Sequence, residues 1–412
     1  MVCDKCKPEF DLLLARIESL ERRLQAYENA HTPSSKQRKN NTQNGENKPR
    51  FPGKPKGSFG GGINLPPPER IEEHTLQSCP ECHNNLEQRG MRTQRVIDFP
   101  EKPLTVTEHQ MLRYYCSSCS FLLEANGPRD IYGSRLRSII VMLKNQTLSC
   151  GKIAELFRQL GAPSMSAAEV QRIHGEFATK LEANQIKNKE ELCRAPYVHA
   201  DETGMRKDGK NGYVWGVFTP FIAILSATMS RGREHIKNLL GDYKGVIVTD
   251  GYNAYDSFPL RQRCWAHLIR EFKKYAEKNL EIAVQYVRIK CIYKKIGELL
   301  GKSPSNEAIG KIKLEFQDIV TCLLAIQEGR KLATLLQNGG DDWSTALYHH
   351  SVPLENNHAE RGLRHIVLHR KMMGCYRNEK GKRFIDIVIS MLQTWKLQKK
   401  NIFQELCALG QT

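Results

Sequence analysis

Two apolar runs that each end at an aspartate constrain this chain more than any other feature. Tyr197-Val198-His199-Ala200 leads to Asp201, and Gly245-Val246-Ile247-Val248-Thr249 leads to Asp250. The second run is β-branched and free of polar alternation, which predicts a strand buried on both faces, as in a parallel sheet. Between the two, Gly212 to Thr219 and Phe221 to Thr228 read as further strands, rich in aromatic and β-branched residues and parted by Pro220. Arg233 to Leu240 has helical spacing and stops at Gly241. A short helix is expected after Asp250. Arg263-Cys264-Trp265-Ala266 then reads as a fifth strand, leading into a basic helix that carries His267, Arg270, Lys273 and Lys274.

The element order is β-β-β-α-β-α-β-α, with acids closing strands one and four. A third acid, Glu360, falls on a polar helix opened by Glu355-Asn356-Asn357. That order predicts a ribonuclease-H-like α/β core, in which strands one and four lie side by side and the late helix packs across their ends. Active residues belong at the strand carboxyl ends of such a sheet. A helical block over about residues 275 to 345 interrupts the core before Glu360, placed to cover the site or contact DNA. Carboxylate oxygens suit Mg²⁺, and two such ions form the apparatus of phosphoryl transfer. With 45 Asp and Glu in the chain, the order of elements carries this reading more than the acids do. Each acid has a plainer alternative. Asp201 and Glu202 point to opposite faces of a strand, so only one of them is a ligand. Asp250 precedes Gly251 and equally suits a turn. Glu355 rivals Glu360 but lies nearly half a turn away, whereas Asn356 and Asn357 share the Glu360 face at i−4 and i−3.

The chain also resembles the DDE transposases of the insertion-sequence sixty-six family. The likeness is carried by His199-Ala200-Asp201-Glu202-Thr203-Gly204-Met205 with Val214-Trp215, by Thr249-Asp250-Gly251-Tyr252 with Tyr255, by Cys264-Trp265-Ala266-His267, and by Glu355-Asn356-Asn357-His358-Ala359-Glu360-Arg361 with Arg364. It continues through Arg370-Lys371 and Gly374-Cys375-Tyr376-Arg377, covering residues 75 to 405 or so. Glu355 stands where an Asp or Thr is usual. The resemblance implies a DDE catalytic core with Asp201, Asp250 and Glu360 as its triad, holding two Mg²⁺ or Mn²⁺ ions. It implies a DNA transposase that cleaves at the 3′ ends of its element and joins them to target DNA. The partners would be element ends and target DNA, within a homodimer or higher oligomer, and there is room for accessory element-encoded proteins. Arg361, Arg364, Arg370 and Lys371 follow the third acid and are expected near the DNA backbone. Arg364, at i+4, equally suits an ion pair with Glu360. Cys264-x-x-His267 resembles an element found here in several DDE families. With two ligands only, it suits a packed Cys264 and a His267 that touches DNA or the acids better than it suits zinc.

Charge and cysteines agree. The chain carries 62 Lys and Arg against 45 Asp and Glu, a net +17, which favours a polyanionic partner. No run approaches a membrane span, and the first residues lack a signal peptide's apolar core, so a cytoplasmic, nucleoid-associated protein is expected with its 13 cysteines as thiols or metal ligands. Cys79-Pro-Glu-Cys82 and Cys116-Ser-Ser-Cys119 have the spacing of a zinc ribbon. Four thiolates close the coordination sphere, so this Zn²⁺ would be structural.

The remaining segments complete the expected organisation. Residues 1 to 31 hold Cys3-Asp-Lys-Cys6, read as unpaired thiols, and a seam of Phe10, Leu13, Ile17, Leu20, Leu24 and Tyr27. The seam suits a dimerising coiled coil or a helix docked on its own domain. Residues 32 to 70 form a basic linker expected to be disordered. The ribbon follows over 71 to 125, then a helical domain over 126 to 190 with helices at 134 to 144, 150 to 160 and 166 to 180. The last two resemble a helix-turn-helix whose recognition end, Ser166 to Arg172, would offer Arg172 to DNA. The catalytic domain spans 191 to 400 and a tail 401 to 412.

Overall fold

The computed structural model describes residues 102–116, 121–128, 130–162, 164–349 and 351–411, with isolated positions 67, 68, 71, 73, 74, 91, 93, 94, 99 and 100. The amino-terminal seam, Cys3 and Cys6, the linker, and Cys79, Cys82 and Cys119 lie outside the described residues. The chain divides into two units, Met1–Pro103 and Leu104–Thr412. Only isolated positions of the first are described, and everything below concerns the second.

In chain order the second unit opens with a hairpin, β1 (Arg113–Cys116) and β2 (Phe121–Glu124), paired antiparallel and tied by an Arg113–Glu124 ion pair. Helices α1 (Ser134–Asn145), α2 (Cys150–Gln159) and α3 (Ala167–Cys193) follow. The hydroxyls of Ser149 and Ser166 cap α2 and α3 by accepting from the backbone N–H of Lys152 and Glu169. Next come β3 (Tyr197–Gly204), β4 (Arg206–Lys207), β5 (Tyr213–Phe218), β6 (Ala223–Thr228), α4 (Arg233–Leu240), β7 (Val246–Thr249), a 3₁₀ turn at Asn253–Ser257, β8 (Arg261–Arg263) and α5 (Trp265–Ala276). Helices α6 (Leu280–Leu299), α7 (Asn306–Ala325) and α8 (Arg330–Gly339) form the insertion. The chain then runs through α9 (Asn357–Met373), β9 (Cys375–Tyr376), α10 (Glu379–Arg383), a π-helical stretch at Phe384–Ile389, α11 (Ser390–Leu397) and α12 (Ile402–Gln411).

The central sheet has the order β6-β5-β3-β7-β8. Strand β3 runs antiparallel to β5 and parallel to β7, so the strand that carries Asp201 and the strand that Asp250 follows are neighbours, as their order predicts; Asp201 does not close its strand as expected, because pairing with β5 carries β3 on to Gly204. Val246 to Thr249 are all buried, in keeping with their unbroken apolar pattern. The fifth strand lies two residues earlier than expected: Cys264 is the N-cap of α5, and Trp265 and Ala266 are already helical. Polar Arg261, Gln262 and Arg263 hold strand positions because the end of α8 and the segment after it satisfy them. Arg261 pairs with Asp342 at 2.9 Å, Gln262 Oε1 accepts from Ala346 N–H at 2.8 Å, and Arg263 donates to the Asn338 carbonyl at 3.1 Å.

One expected boundary is corrected. Helix α3 continues thirteen residues beyond the predicted end at Lys180, reaching Cys193. Its Ile173, Phe177 and Leu181 join one core with Val214, Leu225, Leu363, Val388 and Leu392, so this helix packs directly on the sheet. Within the expected tail, α12 packs on α1, with Gly410 so close that a Cβ there would lie 2.8 Å from Ser134 Cβ.

The helix from the π-helical stretch through α11 lies along β6. Asp386, Ser390 and Thr394, spaced four apart, present side-chain oxygens that accept from the backbone N–H groups of Ala227, Leu225 and Ala223 at 2.7, 2.8 and 3.0 Å. The two periods match: every fourth helical residue meets every second strand residue. No helix among the described residues is long and apolar enough to cross a membrane.

Candidate functional site

Asp201 sits midway along β3, opposite Gly216 of β5. Gly216 leaves room for α9: a Cβ there would lie 2.9 Å from Leu363 Cδ2, and a Cβ on Gly362 would collide with the Phe218 ring. These two glycines let α9 settle against the sheet and carry Glu360 toward Asp201. Asp250 follows β7 and is held by its own turn, its Oδ1 accepting from Tyr252 N–H at 3.0 Å. Gly251 has φ +95, a left-handed conformation that makes the turn easy for glycine and strained for other residues.

Glu202 points the other way. Its side chain is 3% exposed, accepts from Arg231 Nη2 at 2.7 Å and Tyr255 Oη at 3.1 Å, and is thereby committed to the opposite core. Glu355 does not share a helix with Glu360, because α9 begins at Asn357 with Asn356 as its N-cap. Its carboxylate accepts from Tyr293 Oη of α6 at 2.7 Å and from the Asn357 amide. Helix α6 thus reaches the residue just ahead of the acidic helix, while the insertion core packs on Trp265 through Tyr293, Phe316 and Trp343.

Asn356 was legible in the sequence only as a face-sharing neighbour. The structure makes it the junction of three elements. Its side chain is fully buried; Nδ2 donates to the Ala200 carbonyl at 2.8 Å, Oδ1 meets His199 Nδ1 at 3.0 Å, and its backbone N–H donates to Cys264 Sγ at 3.1 Å. Its carbonyl accepts from Glu360 N–H. One asparagine therefore sets β3, the start of α5 and the start of α9 in register around Asp201 and Glu360. Cys264 is buried, with its thiol pushed up by that burial, and no ligand role is visible for it.

Asp201 lies within electrostatic reach of the other acids. Burial pushes the Asp201 carboxyl up to about 7, and the charges of Asp250, Glu202 and Glu360 push in the same direction against one backbone hydrogen bond. Hard oxygen donors that destabilise one another's charge are a donor set suited to Mg²⁺. Among the described residues no three His, Cys, Asp or Glu side chains already converge on one point. Glu360 is turned toward α5, where Arg270 Nη2 and His267 Nε2 lie 3.0 and 3.4 Å from its Oε1. Burial and the Arg270 charge lower the His267 pKa, favouring the neutral ring.

The basic residues expected at DNA divide into two groups. Arg361 and Arg364 are exposed and make no hydrogen bond or ion pair with a described residue; Arg364 does not pair with Glu360. Lys371 is exposed as well. Arg370 instead turns inward, donating to the Gly204 carbonyl at 2.7 Å and clamping the end of β3. Arg172 is engaged by Asp130 at 2.7 Å and by Glu169 and Glu176, so the supposed recognition end of α3 offers no unpaired guanidinium there.

Residues 129–383 match the family model described as Transposase IS66 family. The chain belongs to the IS66 transposase family. Residues 77–120 match the zinc-finger binding domain of transposase IS66, which supports Zn²⁺ in the segment holding the paired Cys-x-x-Cys knuckles. No curated protein matches the chain significantly. In this IS66 transposase the family match covers the sheet, the insertion, and α9 with all three acids.

Proposed function

We propose that this transposase cleaves DNA at the ends of its element and transfers the freed 3′ ends into target DNA, with Asp201, Asp250 and Glu360 as its metal-holding triad. The observation that carries the reading is the placement of Asp201 on β3, directly beside the parallel strand that Asp250 follows, with Asn356 tying the start of the Glu360 helix to β3. Two Mg²⁺ ions held there, replaceable by Mn²⁺, would supply acidification of the attacking water or 3′-hydroxyl and charge neutralisation at the leaving 3′-oxygen. The chain's own part is to position. Asn356 ties the Asp201 strand to the Glu360 helix, the Asp250 turn fixes one carboxylate oxygen, and the apolar packing behind Asp201 limits access of bulk water. No covalent protein intermediate is required, since phosphoryl transfer is governed by positioning and charge stabilisation.

In the same reading Cys79, Cys82, Cys116 and Cys119 hold one structural Zn²⁺. Arg361, Arg364 and Lys371 line the DNA path, and His267 contacts the acidic site. The working form is a homodimer or larger synaptic assembly on element ends.

The test is an end-cleavage and strand-transfer assay on oligonucleotides bearing the element's terminal sequences. Asp201→Ala, Asp250→Ala and Glu360→Ala should each reduce Mg²⁺-dependent cleavage by at least about a hundredfold while DNA binding persists. Glu355→Ala should retain cleavage, because that carboxylate is bound to Tyr293. Wild-type cleavage in any of the first three variants removes that acid from the triad. Cleavage without joined products would make the protein a nuclease, and binding without either would make it a regulator.

A further inference from the structure

We propose that Arg270 is a positioning residue that holds Glu360 while the carboxylates carry no metal, and that metal binding releases its guanidinium to a backbone phosphate beside the scissile bond. The inference rests on the reading of Glu360 as the third metal-holding acid. Among the described residues Glu360 is the only member of the trio in an ion pair, and Arg270 Nη2 approaches its Oε1 at 3.0 Å. His267 Nε2 approaches the same oxygen at 3.4 Å, while Oε2 makes no hydrogen bond with a described residue. The two donors stand three residues apart on α5 and so share a face.

The two ends of Arg270 differ. Its helix is fixed by Trp265, Leu268 and Phe272, all buried, whereas its side chain is 57% exposed and meets a carboxylate 35% exposed. An ion pair between partly exposed groups changes an equilibrium constant by no more than about fivefold. A divalent ion at the same carboxylate interacts more strongly by virtue of its charge, so it displaces the guanidinium. The displaced group is a planar donor fork on a long stem, suited to phosphate. It stays within one side-chain length of the acid beside which the scissile phosphate would lie. Metal and DNA would then assist each other's binding by the same factor.

The test uses the full-length protein. Mn²⁺ binding, followed by the electron paramagnetic resonance of the free ion, should be up to about fivefold tighter in Arg270→Ala than in wild type. Lys274→Ala is the control for charge alone: it removes an equal charge from the same helix, where Lys274 pairs with Glu271. It should change Mn²⁺ affinity by less than about twofold. Duplex DNA binding is then measured against salt with and without Ca²⁺. Adding Ca²⁺ to wild type should steepen the slope of log affinity against log salt by about 0.9, the signature of one new phosphate contact, and should leave Arg270→Ala unchanged. Equal Mn²⁺ affinity in wild type and Arg270→Ala, an equal gain in Lys274→Ala, or a Ca²⁺-insensitive wild-type slope overturns the proposal. Glu360→Ala separates the two layers. If that variant binds Mn²⁺ as wild type does, the reading of Glu360 as a ligand fails; if it binds weakly while Arg270→Ala is unchanged, only the role of Arg270 fails.

Discussion

Asn356→Ala is the perturbation that most directly probes how the acids are assembled. The side chain is fully buried, and its partner His199 is 5% exposed. Truncation leaves the Ala200 carbonyl without its 2.8 Å donor and His199 Nδ1 without its 3.0 Å partner. Each buried polar group left unpaired costs about 1–3 kcal/mol, so the loss of both pairings should cost about 2–6 kcal/mol, and toward the lower end if a water enters the space. Asn356→Asp should do no better, because it sets a second oxygen against the Ala200 carbonyl and buries a charge. Urea unfolding followed by tryptophan fluorescence reads the effect, since Trp215, Trp265, Trp343 and Trp395 all belong to the second unit. The midpoint should fall with little change in slope. Cleavage should fall more than stability alone explains, as the start of α9 loses its tie to β3. A variant within about 0.5 kcal/mol of wild type, the ordinary range for a neutral surface change, with full cleavage would refute the account.

One tightly held Zn²⁺ per chain should copurify, and Cys79→Ser or Cys116→Ser should lose it; elemental analysis showing no zinc would remove the ribbon. Stability should also fall with acidity. Burial, and secondarily Lys144, hold the His174 ring at about 3, well below its unfolded value, so its stabilisation is complete above about pH 6.5 and is lost progressively toward pH 3. His199 and His369, each held at about 4, act in the same direction. Between about pH 6 and 4, His174→Phe should flatten the dependence by up to about 1.4 kcal/mol per pH unit, and an unchanged slope in urea titrations would contradict this. Arg364→Ala should lower the salt slope of duplex binding by about 0.9, whereas Arg370→Ala should lower thermal stability and leave that slope alone. The opposite pattern would exchange their roles.

The parts legible in sequence were those with a local signal. The two runs ending at Asp201 and Asp250, the strand pair around Pro220 and the helix carrying Glu360 each declare themselves by periodicity or a breaker, and they occupy the expected elements. What failed to show depends on distant partners. A strand made of Arg261, Gln262 and Arg263 has no apolar signature, because residues about eighty positions away satisfy its polar groups. The true end of α3 lies in a stretch of Asn, Lys and Glu whose local pattern reads as a linker. Asn356 carried a face but no address, since a buried asparagine is recognised only by the carbonyl and imidazole it meets. Arg370 and Arg172 looked like Arg361 and Arg364 by type and spacing; only the carbonyl of Gly204 and the carboxylates around Arg172 tell them apart.

The oxygen ladder of Asp386, Ser390 and Thr394 along β6 bears on how copies of this protein can associate. An open edge strand is an invitation to pair with a second chain. Here the outward N–H groups of Ala223, Leu225 and Ala227 are already taken, and at the other edge the segment after α8 engages the side chains of β8. Joining two copies through the β6 edge would require peeling away a helix and forfeiting three hydrogen bonds, two of them buried. Copies of this chain that meet with the fold intact therefore do so without adding a strand at β6, which leaves that side of the sheet, and the strand order around Asp201, undisturbed by contact.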